Sequence, residues 1–327
     1  MPLAQIIGTG SYAPAQVITN RDLEKIVDTS DAWIVERTGI KERRQAAPGE
    51  ATSDMAVAAA REALAMAGLS PEELELIVVG TITPDMPMPS CAVFVQAKLG
   101  AKKAFAFDVA AACAGSVYAL SVADQFIRSG QVKRALVIGA DLFTGVLNWK
   151  DRNTCVLFGD GAGAMVLAAS EEEGRGILST HLRTDGSLAD ILTIPAGGSR
   201  EPLTEENLHQ QRHKVTMNGR EVFKCAVREL TAVTHEALKV HGLAAHQVDH
   251  VIAHQANIRI IEAVMQRIEI PIEKCWINLD KYGNTSAASV PMSLDEANRS
   301  GRLKRGDLVA MMAVGAGMTW GSAVVRW

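Results

Sequence analysis

The pattern of hydrophobic and polar positions occurs twice along the chain. Residues 62–80 read EALAMAGLSPEELELIVVG and residues 236–254 read EALKVHGLAAHQVDHVIAH, with apolar positions that coincide at a separation of 174 residues (236 − 62 = 174). Each copy predicts a helix that stops at a glycine, a short linker and a buried strand. The two halves of the chain therefore contain the same α/β unit.

Two further pairs of segments support this duplication. Residues 128–139 (RSGQVKRALVIG) are echoed by residues 299–315 (RSGRLKRGDLVAMMAVG), now 171 residues apart (299 − 128 = 171). GDGAGAMVLAA resembles the closing VGAGMTWGSAVV, which predicts a glycine-rich turn and a strand at the end of each half. We therefore divide the chain into halves at residues 1–172 and 173–327.

A single cysteine lies where a predicted strand meets a predicted helix. Residues 103–110 alternate like a buried strand, and residues 116–129 carry apolar side chains at helical spacing before Gly130, which suits a helix end. Cys113 lies between them. A helix N-terminus lowers the pKa of a nearby thiol and favours the nucleophilic thiolate. The alternative interpretation is a small buried hydrophobic residue.

The duplication connects Cys113 with two polar residues of the second half. Adding 171 to 113 gives Asn284, in the stretch GNTSAAS that also opens a predicted helix. His254 directly follows the apolar strand HVIA. If the halves pack around a pseudo-twofold axis, the two helix starts face one central cavity. Cys, His and Asn together suit thioester chemistry, although a lone strand-end histidine is more often a satisfied core residue.

Composition and charge narrow the classes of function. The 327 residues are 48% hydrophobic with a net charge of −4, and they contain neither a long apolar run nor a basic cluster with interleaved aromatics. We therefore expect no membrane span, no nucleic-acid partner and a cytoplasmic location. Five widely spaced cysteines without a C-x-x-C motif predict free thiols rather than disulfides or a zinc site.

Several motifs in a fixed order resemble one known family. GTGSYAP, TSDAWIVERTGIKERR, FDVAAACAG, DRNTCVLFGDGAGA, HQANIRI, YGNTSAAS and GAGMTWGS cover nearly the whole chain and are similar to the β-ketoacyl-acyl-carrier-protein synthase III family of the thiolase-like superfamily. The resemblance implies a five-layered αβαβα fold built from two duplicated α/β halves, and a homodimer. It also implies an acyltransferase that initiates bacterial fatty acid synthesis.

The resemblance assigns roles to the central residues. It implies that Cys113 takes an acyl group from a short acyl-CoA, acetyl-CoA being the expected starter, and that His254 and Asn284 serve decarboxylation of malonyl-acyl carrier protein. The backbone N–H groups of Cys113 and Ala316 are expected to form the oxyanion hole, although Gly315-Ala316-Gly317 departs from the three glycines frequent in the family. No permanently bound cofactor or metal is implied, and the CoA thioester is a substrate.

The resemblance also supplies binding residues, grouped here by the part of the substrate that each would contact. For CoA they are Trp33, Arg37, Arg152, Gly219 and Asn257; for the acyl pocket Met88, reaching across the dimer, and Phe143; and for the acidic carrier protein Lys224, Arg259 and Arg267. An indole with guanidinium groups suits the adenine and phosphates of CoA. Basic residues on a surface are otherwise ordinary solvated positions.

Three alternatives stay open from the sequence. The nearest is a related acyltransferase or a condensing enzyme of a secondary-metabolite pathway that uses the same acyl-cysteine. A nucleotide-dependent oxidoreductase is suggested by IIGTGSYAP, but Pro14 stands where the phosphate-binding helix would have to continue. A non-catalytic binding module would leave the coincidence of Cys113, His254 and Asn284 unexplained.

Overall fold

The computed structural model describes residues 2–327, which contain two large mixed β-sheets and two small two-stranded sheets, with helices between and outside the large sheets. The strands are β1 (Ala4–Tyr12), β2 (Gln16–Thr19), β3 (Glu42–Gln45), β4 (Leu76–Gly80), β5 (Phe105–Val109), β6 (Arg134–Asp141), β7 (Gly161–Ala169), β8 (Gly176–Thr184), β9 (Leu192–Thr193), β10 (Thr216–Met217), β11 (His250–Ala253), β12 (Leu308–Gly315) and β13 (Thr319–Arg326). The helices are α1 (Asn20–Leu23), α2 (Asp31–Thr38), α3 (Thr52–Ala67), α4 (Cys91–Leu99), α5 (Gly115–Arg128), α6 (Arg152–Cys155), α7 (Glu205–His209), α8 (Gly219–Val240), α9 (Ile258–Arg267), α10 (Leu279–Tyr282) and α11 (Ser289–Arg299).

The two large sheets have the same strand arrangement. The first has the order β1-β7-β6-β4-β5 and the second the order β11-β12-β13-β8. β4 runs parallel to β6, as β11 does to β12, whereas β7 and β13 run antiparallel to their neighbours. A parallel bridge between Val251 and Cys275 takes the place beside β11 that β5 has beside β4. Sheet order therefore bears out the duplication expected from the sequence.

Helices form three layers around these sheets. Leu120 of α5 and Leu294 of α11 belong to one core cluster with Val137 of β6 and Met311 of β12, so these two helices lie between the sheets. α3 and α4 cover the outer face of the first sheet, and α8 and α9 cover that of the second. Because both faces of each sheet are covered, the central strands are continuous apolar runs. The architecture is the five-layered αβαβα fold that the sequence predicts.

The ends of the predicted elements agree closely with the structure. The strand expected over residues 103–110 is β5, and the helix expected over residues 116–129 is α5. Gly130 follows that helix with φ of 75°, a left-handed conformation that glycine adopts without steric cost. The chain passes from β1 directly into β2, without the helix that a dinucleotide-binding turn requires, so the oxidoreductase alternative is excluded. The predicted boundary at residues 172 and 173 falls between β7 and β8.

The pseudo-symmetry pairs Cys113 with a different residue from the one predicted. Short 3₁₀ turns at Ala112–Ala114 and Ser286–Ala288 precede α5 and α11, and they lie 174 residues apart (286 − 112 = 174). The offset of 171 applies only after these helices, because α11 has 11 residues and α5 has 14. The predicted equivalence of Cys113 and Asn284 is therefore wrong. Ala287 is the counterpart of Cys113, and Asn284 lies three residues before it.

Each turn packs against a glycine from the opposite half. A Cβ on Gly315, at the end of β12, would lie 2.6 Å from the backbone nitrogen of Cys113. A Cβ on Gly139, in β6, would lie 2.0 Å from the carbonyl oxygen of Ala287. Only glycine permits approaches this close. The two halves are thus locked together at the turn that carries the cysteine.

Candidate active site

One cavity of about 950 Å³ reaches Cys113 from the surface. His254 and Asn284 also line it, so the structure brings together the three residues that the sequence selected. All three are nearly inaccessible, with exposed fractions of 4%, 4% and 5% respectively. The three side chains therefore lie at the buried inner part of the cavity.

Cys113 is held by contacts from both halves. It sits in the 3₁₀ turn directly before α5, and Gly315 contacts its backbone nitrogen from the end of β12. The hydroxyl of Ser286 donates a hydrogen bond to Cys113 Sγ at 3.4 Å. The turn thus fixes the thiol at the inner end of the cavity and gives it one polar neighbour.

The pKa of Cys113 differs from the expectation. Burial raises the pKa of the thiol to about 12, and the nearby carboxylate of Asp141 acts in the same direction, whereas the hydrogen bond from Ser286 lowers it. The expectation of a lowered pKa at the helix start is therefore wrong in direction. Desolvation of a thiolate in a fully buried site costs more than the helix dipole returns.

His254 follows β11 directly, as expected, and is neutral. Its backbone nitrogen donates to the carbonyl of Met312 at 2.8 Å, which extends the pairing of β11 with β12 by one residue. Burial lowers the pKa of the imidazole to about 4. Nδ1 is buried and has no partner among residues 2–327, which leaves Nε2 as the ring nitrogen that can meet a ligand.

Asn284 is fixed through both its backbone and its side chain. Its N–H donates to the Leu157 carbonyl at 2.8 Å, and its own carbonyl accepts from Gly159 N at 3.0 Å. Asn284 Oδ1 accepts a hydrogen bond from Ser286 N at 2.8 Å. Because the amide oxygen is occupied in this way, the Nδ2 group is the part of the side chain that can donate to a substrate oxygen.

The residues expected to bind CoA all line this cavity. The guanidinium carbons of Arg37 and Arg152 lie 4.8 and 5.1 Å from the centre of the Trp33 ring. Arg152 also donates to the carbonyl of Asp28 at 3.0 Å. An indole flanked by two cations offers a flat surface for a base together with positive charge for phosphates.

The other two residues of this group lie at helix N-termini. Gly219 is the first residue of α8. Asn257 caps α9, because its Oδ1 accepts from Arg259 N at 2.9 Å, and its Nδ2 donates to the Arg37 carbonyl at 3.0 Å. Asn257 thereby links the helix after His254 to the segment that carries Arg37.

Phe143 and Met88, the two residues predicted to form the acyl pocket, lie in different parts of the structure, and neither lines the cavity. Phe143 is not among the residues that line the cavity; it stacks on Phe158, which does line it, with ring centres 4.0 Å apart and an interplanar angle of 10°. Phe158 therefore forms this part of the cavity wall, and Phe143 packs against the other face of its ring. Met88 is 83% exposed and lies outside the cavity of its own chain, so its role across a dimer stays a prediction.

Ala316 follows the last residue of β12 and is half-buried. Its neighbours Gly315 and Met318 line the cavity, whereas Ala316 is not among the lining residues. Its carbonyl accepts from Thr319 Oγ1 at 3.1 Å. The role of its backbone N–H in an oxyanion hole stays a prediction.

The three basic residues expected to meet the carrier protein are exposed on two adjacent helices. Arg259 is the second residue of α9 and lines the cavity, whereas Arg267 lies in the last turn of that helix. Lys224, on α8, forms an exposed ion pair of 2.8 Å with Glu221. Arg220, also exposed, lines the cavity beside them and was not selected from the sequence.

Sequence reasoning missed residues whose importance depends on distant contacts. Phe158 contributes a cavity wall, Ser286 contacts the thiol, and Gln255 anchors the segment after His254 by donating to the carbonyls of Ala253 and Trp276 at 2.9 and 3.0 Å. Ser286 and Gln255 stand within the quoted motifs YGNTSAAS and HQANIRI, so their proximity to Asn284 and His254 was the available signal.

Comparison with known proteins gives a consistent result. The family model for 3-oxoacyl-[acyl-carrier-protein (ACP)] synthase III matches residues 107–186, and the model for its C-terminal part matches residues 238–327. The β-ketoacyl-[acyl-carrier-protein] synthase III of Caldanaerobacter subterraneus is 53% identical over 324 residues, which cover 99% of this chain and 98% of that protein. The chain belongs to the β-ketoacyl-[acyl-carrier-protein] synthase III family.

Other members of the synthase III family agree over the full length. The protein from Alkalilimnicola ehrlichii is 53% identical over 328 residues, with all of both chains covered. The crystal structure of 3-oxoacyl-[acyl-carrier-protein] synthase III from Aquifex aeolicus superposes with a TM-score of 0.91 at 50% identity and covers 99% of this chain and 100% of that one. As a synthase III, the chain is an acyltransferase that carries out the initiating condensation of fatty acid synthesis, and the secondary-metabolite alternative is not favoured.

The described residues lack two further kinds of feature. No helix within residues 2–327 is long and apolar enough to cross a membrane. Over the same residues, no three His, Cys, Asp or Glu side chains come together as a metal site, and all five cysteines are free and buried. The prediction of free thiols is thus confirmed.

Proposed function

We propose that the condensation joins a short acyl-CoA, acetyl-CoA in the first instance, to malonyl-acyl carrier protein through an acyl-Cys113 intermediate. The observation that supports this most strongly is the convergence of Cys113, His254 and Asn284 on one cavity whose lining also includes Trp33 and its two arginines. A nucleotide-bearing thioester with a long flexible arm suits a cavity that has cations near an indole and a thiol at its inner end.

In the first half-reaction the sulfur of Cys113 attacks the thioester carbonyl carbon of acyl-CoA. The carbon–sulfur bond to CoA breaks, and the proton of the Cys113 thiol ends on the departing CoA sulfur, so that one thioester replaces another. The backbone N–H groups of Cys113 and Ala316 are proposed to hold the oxyanion of the tetrahedral intermediate. The close packing of Gly315 on the cysteine turn holds the first of these donors rigidly in place.

In the second half-reaction His254 and Asn284 stabilise negative charge instead of removing a proton. Nε2–H of His254 and Nδ2–H of Asn284 donate to the thioester carbonyl of the malonyl group, loss of CO2 leaves an enolate on that oxygen, and the enolate carbon attacks acyl-Cys113. A new carbon–carbon bond forms, the thioester bond to Cys113 breaks, and the sulfur leaves as a thiolate that takes up one proton from solvent. The lowered pKa of His254 supports this role because a neutral imidazole is a hydrogen-bond donor and no strong base is needed.

We test this function by intact mass spectrometry with a panel of acyl-CoAs, followed by malonyl-acyl carrier protein. Acetyl-CoA is expected to give a single adduct of one acetyl group, which malonyl-acyl carrier protein then discharges with one equivalent of CO2. An adduct that malonyl-acyl carrier protein cannot discharge would instead indicate a plain acyltransferase, and a faster reaction with medium or branched acyl-CoAs would contradict the short starter.

The aromatic wall supports a short starter. Phe158 is 1% exposed, and Phe143 stacks behind it within a cluster that also contains Leu147 and Val215. A stacked pair inside a packed cluster cannot move aside cheaply for a longer chain. In the same mass experiment, Phe158→Ala provides the comparison variant, because a shorter wall residue leaves room for a longer acyl chain.

The CoA site leads to a prediction with a matched control. Arg152→Ala is expected to raise KM for acetyl-CoA about tenfold with kcat nearly unchanged, because binding of the nucleotide end is equally strong in the ground and transition states.

Arg302 provides the matched control. It lies over Trp276 at 5.6 Å, outside this cavity, and Arg302→Ala should change neither KM nor kcat. Steady-state kinetics with acetyl-CoA and with acetyl-pantetheine, which lacks the nucleotide, separate the effects. An equal loss with both substrates would contradict a nucleotide contact.

We infer two protein partners, an acyl carrier protein and a second copy of the chain, from features of the surface. Lys224, Arg259 and Arg267 are exposed on α8 and α9, two adjacent helices that both begin at the cavity, and their positive charge suits an acidic carrier protein. β5 is an edge strand with Phe105 43% exposed, and Phe107 and Phe126 pack beside it. An unpaired edge strand with exposed aromatic surface is suited to pairing with a second copy, which supports a homodimer. A cytoplasmic location stays a prediction.

A further inference from the structure

Ser286 is the side chain that contacts the thiol from the opposite half of the molecule. Its hydroxyl lies 3.4 Å from Cys113 Sγ, and neither the serine nor the cysteine is accessible to solvent beyond 4%. Its backbone N–H at the same time donates to Asn284 Oδ1 at 2.8 Å. One residue thus contacts both the nucleophile of the first half-reaction and a proposed donor of the second.

The backbone does not require a serine at this position. Ser286 has a positive φ of 52°, and its pseudo-symmetric counterpart Ala112 has φ of 45°. The other half therefore makes the same turn with alanine. The hydroxyl has to be explained by what it contacts and not by the geometry of the turn.

Asp141 lies on the other side of this serine. The carboxylate is fully buried and accepts hydrogen bonds from Thr81, Ile82 and Thr83 at 2.8 to 3.2 Å, and from Ala287 N at 3.2 Å. Burial raises the pKa of Asp141, and the nearness of this carboxylate raises the pKa of the Cys113 thiol as well. The Ser286 hydroxyl has one proton to donate, and its hydrogen bond goes to Cys113 Sγ, where it opposes that rise.

We propose that Ser286 is a catalytic residue of the acylation half-reaction, whose hydroxyl donates to Cys113 Sγ and stabilises the thiolate that attacks the acyl-CoA. The inference rests on Cys113 as the acylated nucleophile. No atom is transferred to or from the serine. The thiol proton still ends on CoA, and Ser286 keeps its own proton throughout. The hydrogen bond is stronger to a charged sulfur than to a neutral thiol, so it lowers the cost of forming the thiolate in the buried site.

Ser286→Ala is the direct test. Between about pH 7 and about pH 9, alkylation of Cys113 by iodoacetamide is expected to be about tenfold to about a hundredfold slower than in the wild type, and formation of the acetyl adduct should slow by a similar factor, since a hydrogen bond to a charged group is lost. CO2 release from malonyl-acyl carrier protein without acyl-CoA should stay within about twofold. Ala112 shows that alanine is compatible with this backbone conformation, and Ser286→Gly, which tolerates positive φ, is the second variant if the first does not fold.

Ser116→Ala is the matched control. Ser116 is fully buried three residues after Cys113, and its hydroxyl has no partner among residues 2–327. Its removal should leave the alkylation profile and the acetylation rate unchanged. A wild-type alkylation profile in Ser286→Ala, or equal slowing by both substitutions, would overturn the proposal. A wild type that alkylates at Cys113 but forms no acyl adduct would refute the proposed function, while the slower alkylation would still report on Ser286.

Discussion

Cys113→Ala is expected to form no acyl adduct with any acyl-CoA, and the condensation rate should fall by more than about a thousandfold. The reason is that no other thiol lines the cavity within residues 2–327, so the acyl group has nowhere to be held. Decarboxylation of malonyl-acyl carrier protein should persist, because His254 and Asn284 are the residues proposed to carry that step. Intact mass measures the adduct, and release of labelled CO2 measures the decarboxylation.

Cys275 supplies the control for this substitution. It is 4% exposed, as Cys113 is, and burial raises its pKa to about 12, the same value. Burial and pKa therefore do not distinguish the two thiols, whereas position does. Cys275→Ala should acylate at the wild-type rate, and an acyl adduct that survives in Cys113→Ala would remove Cys113 from the mechanism.

Local patterns were sufficient for much of the fold. The strand and helix around Cys113 were predicted nearly to their ends because their apolar spacing and Gly130 are local signals. The duplication gave the two halves and, through the family resemblance, the five layers. The pairing of Cys113 with Asn284 failed because the offset changes from 174 to 171 inside the helices α5 and α11, and the two offsets do not show where along the chain that change occurs.

The site was predictable as a set of residues but not in its energetics. Cys113 and His254 stand at element ends that the sequence shows, yet their pKa shifts come from burial, which depends on packing between the halves. Phe158 was missed for the same reason, since its place in the wall is set by stacking on Phe143. The contact between Ser286 and Cys113 spans 173 positions of the chain and has no local signature.

His254→Ala and Asn284→Ala are expected to keep the acetyl adduct on Cys113 but to lose its discharge. Each removes one donor to the enolate oxygen, and the loss of one such donor costs about a hundredfold to about a thousandfold in rate. Single-turnover discharge of preformed acetyl enzyme by malonyl-acyl carrier protein measures this directly. Slow acylation with unchanged discharge would assign these residues to the other half-reaction.

The pH dependence of CO2 release and one further substitution distinguish hydrogen-bond donation by His254 from base catalysis. With its pKa lowered to about 4, the imidazole is neutral throughout pH 6 to 8, so CO2 release should be flat over that range, whereas a histidine of ordinary pKa near 6.5 would give an inflection. His254→Asn retains an N–H donor and should restore part of the activity that His254→Ala loses. A pH inflection near 6.5 together with no recovery in His254→Asn would favour a base.

Replacing the neutral amide of Asn284 by a carboxylate tests most directly whether this residue stabilises the enolate. Asn284→Asp keeps the shape of the side chain and the acceptor for Ser286 N, but it replaces the Nδ2 donor with an anionic oxygen. Because the transition state places negative charge on the neighbouring substrate oxygen, Asn284→Asp should discharge acetyl enzyme more slowly than Asn284→Ala does, although alanine is the larger structural loss. Equal rates for the two variants would mean that Asn284 positions the substrate without stabilising the enolate.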